Sequence, residues 1–600
     1  MLLKWLLYGS IFIFPWIHLP GLGNLNSSQF FGMVWLGTVL LGVLIWATLT
    51  HAVRIPRGKL WYLLAFFAVS QGLSALFSLS HSFSIWGAYQ NHTDGLIFNL
   101  VLLLFFYGIL TLELELHEAI ELVYLFLIQA FFLSAATLGE GIGWGFPFKV
   151  ASPISPLLNI DYFLSYALLA LPLAITSCLL WYRKQGSRLV LVLHGLGVMV
   201  ISLALFVALP PAIQGVPYAI IHKLYDHPTK TVATVAPSAS LVTPQNFLTN
   251  DSNTERFTQW KLGLAIGKKY PLLGEGQGTI QEGFFQVENS VDMSHWSYNS
   301  NLVMVRPHNS LIEVFATTGI VGVLASLILW VGYFGWALRI FKDLTTSQKL
   351  LIIGITGGLI LYLTFNLLLF TTLTAGTMSV VLVALALSIA GKGEYIFLKA
   401  NRTLVGIVSG AVFIIFLWAS YGTWHYYQAE REMELVRRSD APSQVLDRFQ
   451  EAGNAATLFS LNPYYSWQAA TLGGGLVTNP PKGFELSPAS TSDLLSTVEY
   501  FAHTATTEDP YTTFYRAEEG AALYELAPHG SPKEQQGEQL MQQAISESPH
   551  YADLYLSAAD AYTFKGQCSL AKEVIERVIQ LPLDPMKKNR LTAHLKEQSC

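Results

Sequence analysis

Eleven runs of apolar residues, each close to the thickness of a bilayer, constrain this chain more than any other feature. They fall near 3–20, 30–50, 60–78, 95–112, 118–138, 161–182, 188–209, 308–338, 349–370, 374–391 and 404–424. A helix needs about 20 apolar residues to cross roughly 30 Å of hydrocarbon, and within it every backbone N–H and C=O must be satisfied internally. With 52% hydrophobic and 12% charged residues, the composition is that of a polytopic membrane protein and excludes a soluble enzyme. The expected fold class is all-α: a membrane helix bundle of about eleven spans, followed by a helical-hairpin domain outside the membrane.

Charge sets the expected orientation. With a cytoplasmic N-terminus, the inside loops carry Arg54, Arg57 and Lys59; Arg183, Lys184 and Arg188; Arg339, Lys342 and Lys349; and Lys392, Lys399 and Arg402. The short outside loops carry almost no basic residue apart from Lys149, which is the positive-inside pattern. The inside loop from Glu113 to Glu118 is acidic, a property that weighs little in that rule. An odd number of spans then puts the C-terminal region outside. The first run reads as a retained signal anchor, because no small-residue cleavage site follows it.

This divides the chain into a membrane domain, 1–424, with a large outer loop at 210–306, and an extracytoplasmic domain, 425–600. The stretch 228–253 is rich in Pro, Ser and Thr and reads as irregular. The large loop holds seven basic and seven acidic residues, so it is no polyanion-binding surface, and nucleic acid is not an expected partner.

The chemistry-bearing residues gather in two places. Arg306-Pro307-His308-Asn309-Ser310-Leu311-Ile312-Glu313 opens the eighth run and leads into Thr318-Gly319-Ile320-Val321-Gly322. Polar and ionisable side chains at a bilayer edge are costly, which makes them functional candidates. Pro307 suits a first helical turn, Asn309 and Glu313 share a face, and His308 points to the opening above them. Upstream, Arg256 to Gly267 reads as a helix lying along the membrane, anchored by Phe257 and Trp260. Arg256, Lys261, Lys268 and Lys269 bring positive charge to the mouth of the bundle. The turn Tyr270-Pro271-Leu272-Leu273-Gly274-Glu275-Gly276-Gln277-Gly278 follows, with a backbone that can approach a ligand closely at Gly274 and Gly276. It lacks the Lys-Ser/Thr of a nucleotide-binding loop, and no strand precedes it.

Taken in order, Arg256 and Trp260, then Pro271 to Gly276, then His308-Asn309 with Glu313 and Gly319-x-x-Gly322, resemble the O-antigen ligase/polymerase superfamily of bacterial membrane glycosyltransferases. The resemblance covers about 1–424 and is strongest from 256 to 335. The loop from Ser84 to Gly95 looks like that family's first outer loop, but it has no arginine at Asn91 or His92, where many members carry one. The segment Ser152 to Tyr162 occupies a further outer loop in diverged form.

What the resemblance implies is transfer of a glycan from a polyprenyl-pyrophosphate donor to an acceptor hydroxyl, at the outer face of the bacterial inner membrane. A pyrophosphate leaving group needs cations, and Arg256 and Arg306 supply bidentate ones. The acceptor hydroxyl needs a base that works near neutrality, the role of His308. Asn309 and Glu313 would orient that histidine or bind sugar hydroxyls, and Trp260, Lys261, Gly274 and Gly276 complete the substrate site. No DxD motif or His/Cys cluster is present, so neither a metal nor a cofactor is expected. The acceptor remains open between a lipid, a glycan chain and a protein, so ligase, polysaccharide polymerase and protein O-oligosaccharyltransferase share this reading. A carrier or flippase is the alternative from another class. It would place charge and broken helices at mid-membrane, whereas here the ionisable cluster lies at the mouth.

In the tail, the last span continues as a charged helix from Tyr426 to Arg438, and Pro463, Pro510 and Pro549 each begin a helical stretch. Ala521 and Tyr555, and likewise Ala544 and Val578, stand about 34 residues apart, the period of tetratricopeptide repeats. The segment Ala552 to Gly566 looks like one such repeat, which suits a protein partner more than chemistry. Cys178 lies in a span, while Cys568 and Cys600 are placed where a disulfide is permitted. Lys587, Lys588 and Arg590 read as a solvated helix face. A reporter active only in the cytoplasm, fused after Lys533, is expected to stay silent; activity there reverses the topology.

Overall fold

The computed structural model describes residues 2–50, 54–57, 59–88, 92, 95–112, 114–141, 160–183, 187–208, 251–291, 304–369, 371–390, 396–399, 402–438, 444–478 and 487–580. The stretch 228–250, the outer-loop segment from Ser152, and Asn91, Lys587, Lys588, Arg590 and Cys600 lie outside the described residues.

The membrane part begins with α1 (Leu2–Ile13), α2 (Leu25–Thr50), α3 (Lys59–Leu76), the short α4 (His81–Trp86), α5 (Leu96–Thr111), α6 (Leu116–Gly141), α7 (Ile160–Arg183) and α8 (Arg188–Ala208). In the large loop stand α9 (Asp251–Lys269) and α10 (Ile280–Val287). The bundle closes with α11 (Ser310–Ile340), α12 (Thr346–Asn366), α13 (Leu373–Ala390) and α14 (Arg402–Arg438). Among the described residues eight helices are long and apolar enough to cross a membrane: α2, α6, α7, α8, α11, α12, α13 and α14. Shorter apolar helices at Leu2–Trp16, Tyr62–Leu76 and Leu96–Thr111 occupy the remaining runs. The first is short because Pro15 removes a backbone donor, and the chain tightens into a 3₁₀ turn at Phe14–Trp16.

At one end of the bundle, β1 (Arg54–Arg57) pairs antiparallel with β2 (Ile396–Lys399), Arg54 opposite Lys399. At that end too, Lys4 reaches Glu118 at 2.8 Å and Glu121 at 3.2 Å, so the acidic loop that departs from the basic pattern meets the N-terminal lysine. Small residues let the helices approach elsewhere, as membrane helices do where no hydrophobic force joins them. A Cβ on Gly358 of α12 would stand 2.3 Å from the Leu169 carbonyl oxygen of α7.

At the opposite end, α14 runs unbroken through the expected division at 424/425 and leads into the tail. There α15 (Val445–Leu458), α16 (Pro463–Thr478), α17 (Pro488–Glu508), α18 (Thr513–Leu526), α19 (Pro532–Glu547), α20 (Ala552–Phe564) and α21 (Cys568–Ile579) follow as successive antiparallel helices. Ser487 and Ser531 cap α17 and α19, each with a proline in the first turn, where a missing N–H costs nothing. The residues spaced at the repeat period, Ala521, Tyr555, Ala544 and Val578, are all buried. Cys568 is disulfide-bonded and Cys178 is a free thiol.

The tail shares an apolar core with the large loop. Leu262, Ile266, Phe284 and Phe285 of α9 and α10 are buried in one cluster with Phe514, Tyr515 and Ala558. The Phe285 ring centre lies 5.6 Å from that of Phe514 and 6.1 Å from that of Tyr551. Asn289 donates to the Glu547 carbonyl at 2.6 Å. Burying one such side chain is worth about 1.5–3 kcal/mol, so several make the union strong. A chain ending after Arg438 is therefore expected to expose α9 and α10. Limited proteolysis should cut 251–291 in that truncation and spare it in the full chain.

Candidate active site

Helix α11 starts at Ser310, and Asn309 is its cap. Its Oδ1 accepts from the Leu311 and Ile312 N–H groups, both at 3.0 Å, an arrangement worth about 1 kcal/mol. Its Nδ2 donates to the Leu367 carbonyl at 2.8 Å, tying the cap to the end of α12. Pro307 thus precedes the cap and is not in the first turn. Between them His308 has φ of 51°, the one non-glycine residue with positive φ among those described. Such a conformation costs on the order of 1–2 kcal/mol and persists where the surroundings over-determine it. Trp260 of α9 helps to do so, its Nε1 donating to the His308 carbonyl at 3.3 Å. The helix α9 comes that close because Gly263 and Gly267 face α11. A Cβ on Gly263 would stand 2.7 Å from Ile312 Cγ2, and one on Gly267 2.3 Å from the Phe315 ring.

The two arginines differ. Arg306 is buried, donates to the Thr371 carbonyl at 3.0 Å and lies 3.5 Å from Glu313, itself nearly buried. Its charge is therefore matched within the protein, and Glu313 answers to it. Arg256 is half-buried and also faces His308. Burial pushes the His308 imidazole down to about 4, the Arg256 charge adds to this, and a hydrogen bond to the Arg306 backbone carbonyl opposes it. At neutral pH the ring is an uncharged base with one nitrogen held. Lys261 is exposed.

The glycine turn does something that its sequence does not announce. Helix α11 is broken at Gly319, where φ is 63° and ψ −165°. In an unbroken helix the Ala316 and Thr317 carbonyls would accept from Ile320 and Val321. Here those carbonyls accept from Glu275 N at 2.9 Å and Gly276 N at 3.1 Å. The N–H groups of Ile320 and Val321 donate to the Pro271 carbonyl at 2.9 Å and the Leu272 carbonyl at 3.2 Å. Ser74 of α3 adds a bond to the Thr317 carbonyl at 2.7 Å. Gly274 and Gly276, expected to approach a ligand, approach α11 and the turn that follows α3. A Cβ on Gly274 would stand 2.2 Å from the Thr317 carbonyl carbon, and one on Gly276 2.0 Å from Ser78 Oγ. Gly319 is the break itself.

The structure therefore brings Arg256, Trp260, Arg306, His308, Asn309 and Glu313 together, and sets Gly274 and Gly276 one layer behind them. The break and the Gly263/Gly267 face escaped the sequence reading. Their signals are Thr317-Thr318-Gly319, three poor helix formers inside an apolar run, and two small residues four apart in α9. His92 of the first outer loop is a core residue, fully buried and stacked on Phe30, with Nε2 3.1 Å from Ser27 Oγ. Among the described residues no three His, Cys, Asp or Glu side chains converge as a metal-ligand set.

Among the described residues, eight apolar helices long enough to span, with a cluster of polar and ionisable side chains at the entrance to one of them, define a multi-pass membrane protein. Residues 165–327 match the family model described as O-Antigen ligase, a stretch that runs from α7 through α9, α10 and His308 to beyond the break in α11. That match supports the resemblance to the O-antigen ligase/polymerase superfamily. Comparison with curated proteins gives no significant match.

Replacing Gly274 by alanine forces a Cβ into backbone at a positive φ, which is expected to cost 2 kcal/mol or more, on the order of other overpacked sites. Gly335→Ala, in α11 where a Cβ meets nothing within 4 Å, is the control. Thermal unfolding in detergent should fall for Gly274→Ala only.

Proposed function

We propose that this protein is a glycosyltransferase of the bacterial cell membrane that moves a glycan from a polyprenyl-pyrophosphate donor to an acceptor hydroxyl at the outer face. The observation that carries the reading is a neutral, half-buried histidine in a strained backbone conformation, facing Arg256, which among the described residues makes no ion pair with a carboxylate.

In this reaction the acceptor O–H gives its proton to His308 as the new bond to the sugar carbon forms. The bond from that carbon to the pyrophosphate oxygen breaks, and its electron pair leaves with the pyrophosphate. Arg256 holds that group and stabilises the growing charge. Arg306, held by Glu313, keeps its backbone carbonyl on one nitrogen of His308, and the acceptor's proton goes to the other. Asn309 fixes the chain on either side by capping α11. Proton transfer and charge stabilisation are then both supplied by side chains. A ligase, a polymerase and a protein O-glycosylating enzyme would all use these steps, and the tail beside the site is where they would differ, through a helical-repeat surface that selects the acceptor.

A general base contributes about 10²–10⁴-fold to rate. His308→Ala is expected to bind the lipid-pyrophosphate donor as the parent protein does and to lose transfer by that factor. Arg256→Ala should lose both, and Arg256→Lys should recover only part, because a point charge cannot replace the planar fork. Near-parental transfer by folded His308→Ala would remove the base from the mechanism. The pH profile supplies a second check. Since the free imidazole protonates near 4, kcat/KM should hold as pH falls through 6 and drop only towards about 4. Bound pyrophosphate offsets the arginine charge, so the same limb of kcat should lie higher.

A further inference from the structure

Where the tail meets the outer loop, four carboxyl groups are buried: Glu275 in the glycine turn, Glu282 on α10, Glu288 just beyond it, and Asp509 in the turn between α17 and α18. Among the described residues, neither oxygen of Glu275 or of Glu282 has a hydrogen-bond partner, nor has Asp509 Oδ2. Asp509 Oδ1 accepts from the Tyr511 and Thr512 N–H groups at 3.0 and 3.2 Å. Glu275 rests directly on the α10 backbone, since a Cβ on Gly283 would stand 1.6 Å from its Oε2. The groups facing Glu282 are Glu275 from the turn, and Asp509 and Tyr515 from the tail. The cations that face this set are already engaged. Lys269 bonds Gln286 at 2.7 Å, and Arg516 bonds Glu547 and the Pro510 carbonyl, both at 2.5 Å. The carboxyl oxygens do not converge as a metal-ligand set.

Carboxylates stripped of water, as at Glu275 and Glu282 with no donor and at Asp509 with donors to one oxygen only, are costly to keep in a resting interface; the neutral acid is the form that fits. The position of these acids gives them a use. Asp509 and the Phe514 ring belong to the tail, while Glu282 and Phe285 belong to α10. Gly283 of α10 seats Glu275, and the Glu275 N–H bonds the Ala316 carbonyl at the break in α11. The half-helix that begins at Ser310 and carries His308-Asn309 at its entrance ends at that break.

We propose that Glu282 and Asp509 are positioning residues that act in their uncharged forms, joining the tail to the turn that fits the α11 break and so setting where His308 stands. The part that concerns His308 rests on the glycan-transfer reading; the seam itself is measured without it. Burial, first among the causes, raises Glu275 and Glu282 well above the usual carboxylate range, Asp509 to about 6 and Glu288 to about 7. Each folded value lies above the unfolded one, so the closed seam binds more protons than the open one. Closure is therefore fully favoured at low pH and loses ground as pH rises from the ordinary carboxylate range through about 6 and 7 and beyond.

Amide hydrogen exchange of residues 280–287 in the full-length protein, corrected for the intrinsic effect of pH, tests this between pH 6 and 9. The parent protein is expected to lose protection about tenfold or more across that range, and Glu282→Gln with Asp509→Asn to keep it. Asp509→Asn alone retains the acceptor for Tyr511 and Thr512 and should show a smaller effect in the same direction. The ratio of transfer rates at pH 9 and pH 6 should rise in the double variant. Protection that is independent of pH in the parent, or lost equally in the double variant, overturns the proposal. A pH profile of transfer left unmoved while the seam responds overturns the positioning role. A seam that responds in a protein without transfer at any pH supports the seam and removes the glycan-transfer reading.

Discussion

The exchange of backbone hydrogen bonds between the 271–276 turn and the break in α11 is the contact on which the site depends. A helix broken near a bilayer strands N–H and C=O groups that lipid cannot satisfy, so such breaks survive only where protein covers them. Here the turn returns two donors and two acceptors to the four groups left open at Ala316, Thr317, Ile320 and Val321. Glycine is required on both sides of the exchange, at 274 in the turn and at 319 in the helix, because the backbones are in contact, while Gly276 makes room for Ser78. The first turns of α11 consequently belong with the turn and α9, and only the remainder is free to behave as a span. His308 is placed by this arrangement: α9 holds its carbonyl, α12 holds its neighbour Asn309, and the turn holds the far end of its half-helix.

The pocket's electrostatics follow from unequal arginines. Arg306 and Glu313 form a matched pair in a dry setting, where removing either partner would leave an unpaired charge. Arg256, half-buried on α9, turns its charge towards His308 instead. With positive charge on one side and little water, the imidazole between them stays neutral.

Most of the fold could be read directly from the amino acids. Apolar runs of bilayer length became helices because nothing else satisfies a backbone in lipid, and the cluster from Arg306 to Glu313 drew notice because polar groups there need a reason. What could not be read was pairing at a distance. Nothing local says that Arg306 meets Glu313 and not a ligand, or that Gly276 meets Ser78. The core shared by Phe285 and Phe514, more than 200 residues apart in sequence, was equally hidden. The break at Gly319 was written in Thr317-Thr318-Gly319 but was masked by the hydrophobicity around it. The buried acids of the seam look like ordinary surface residues in a loop of balanced charge, and only their enclosure changes their chemistry.

Helix α14 spans 37 residues without interruption, from the β2 end of the bundle to the first helix of the tail. At 1.5 Å per residue that is about 55 Å, well beyond the roughly 30 Å of hydrocarbon. A tail on a flexible tether would sample many heights and headings, so that each encounter would carry the entropy of finding the right one. A tail on a strut stands at one height and one heading. The tail is thus held at a fixed distance from the far end of the bundle, as a lever is held by its shaft.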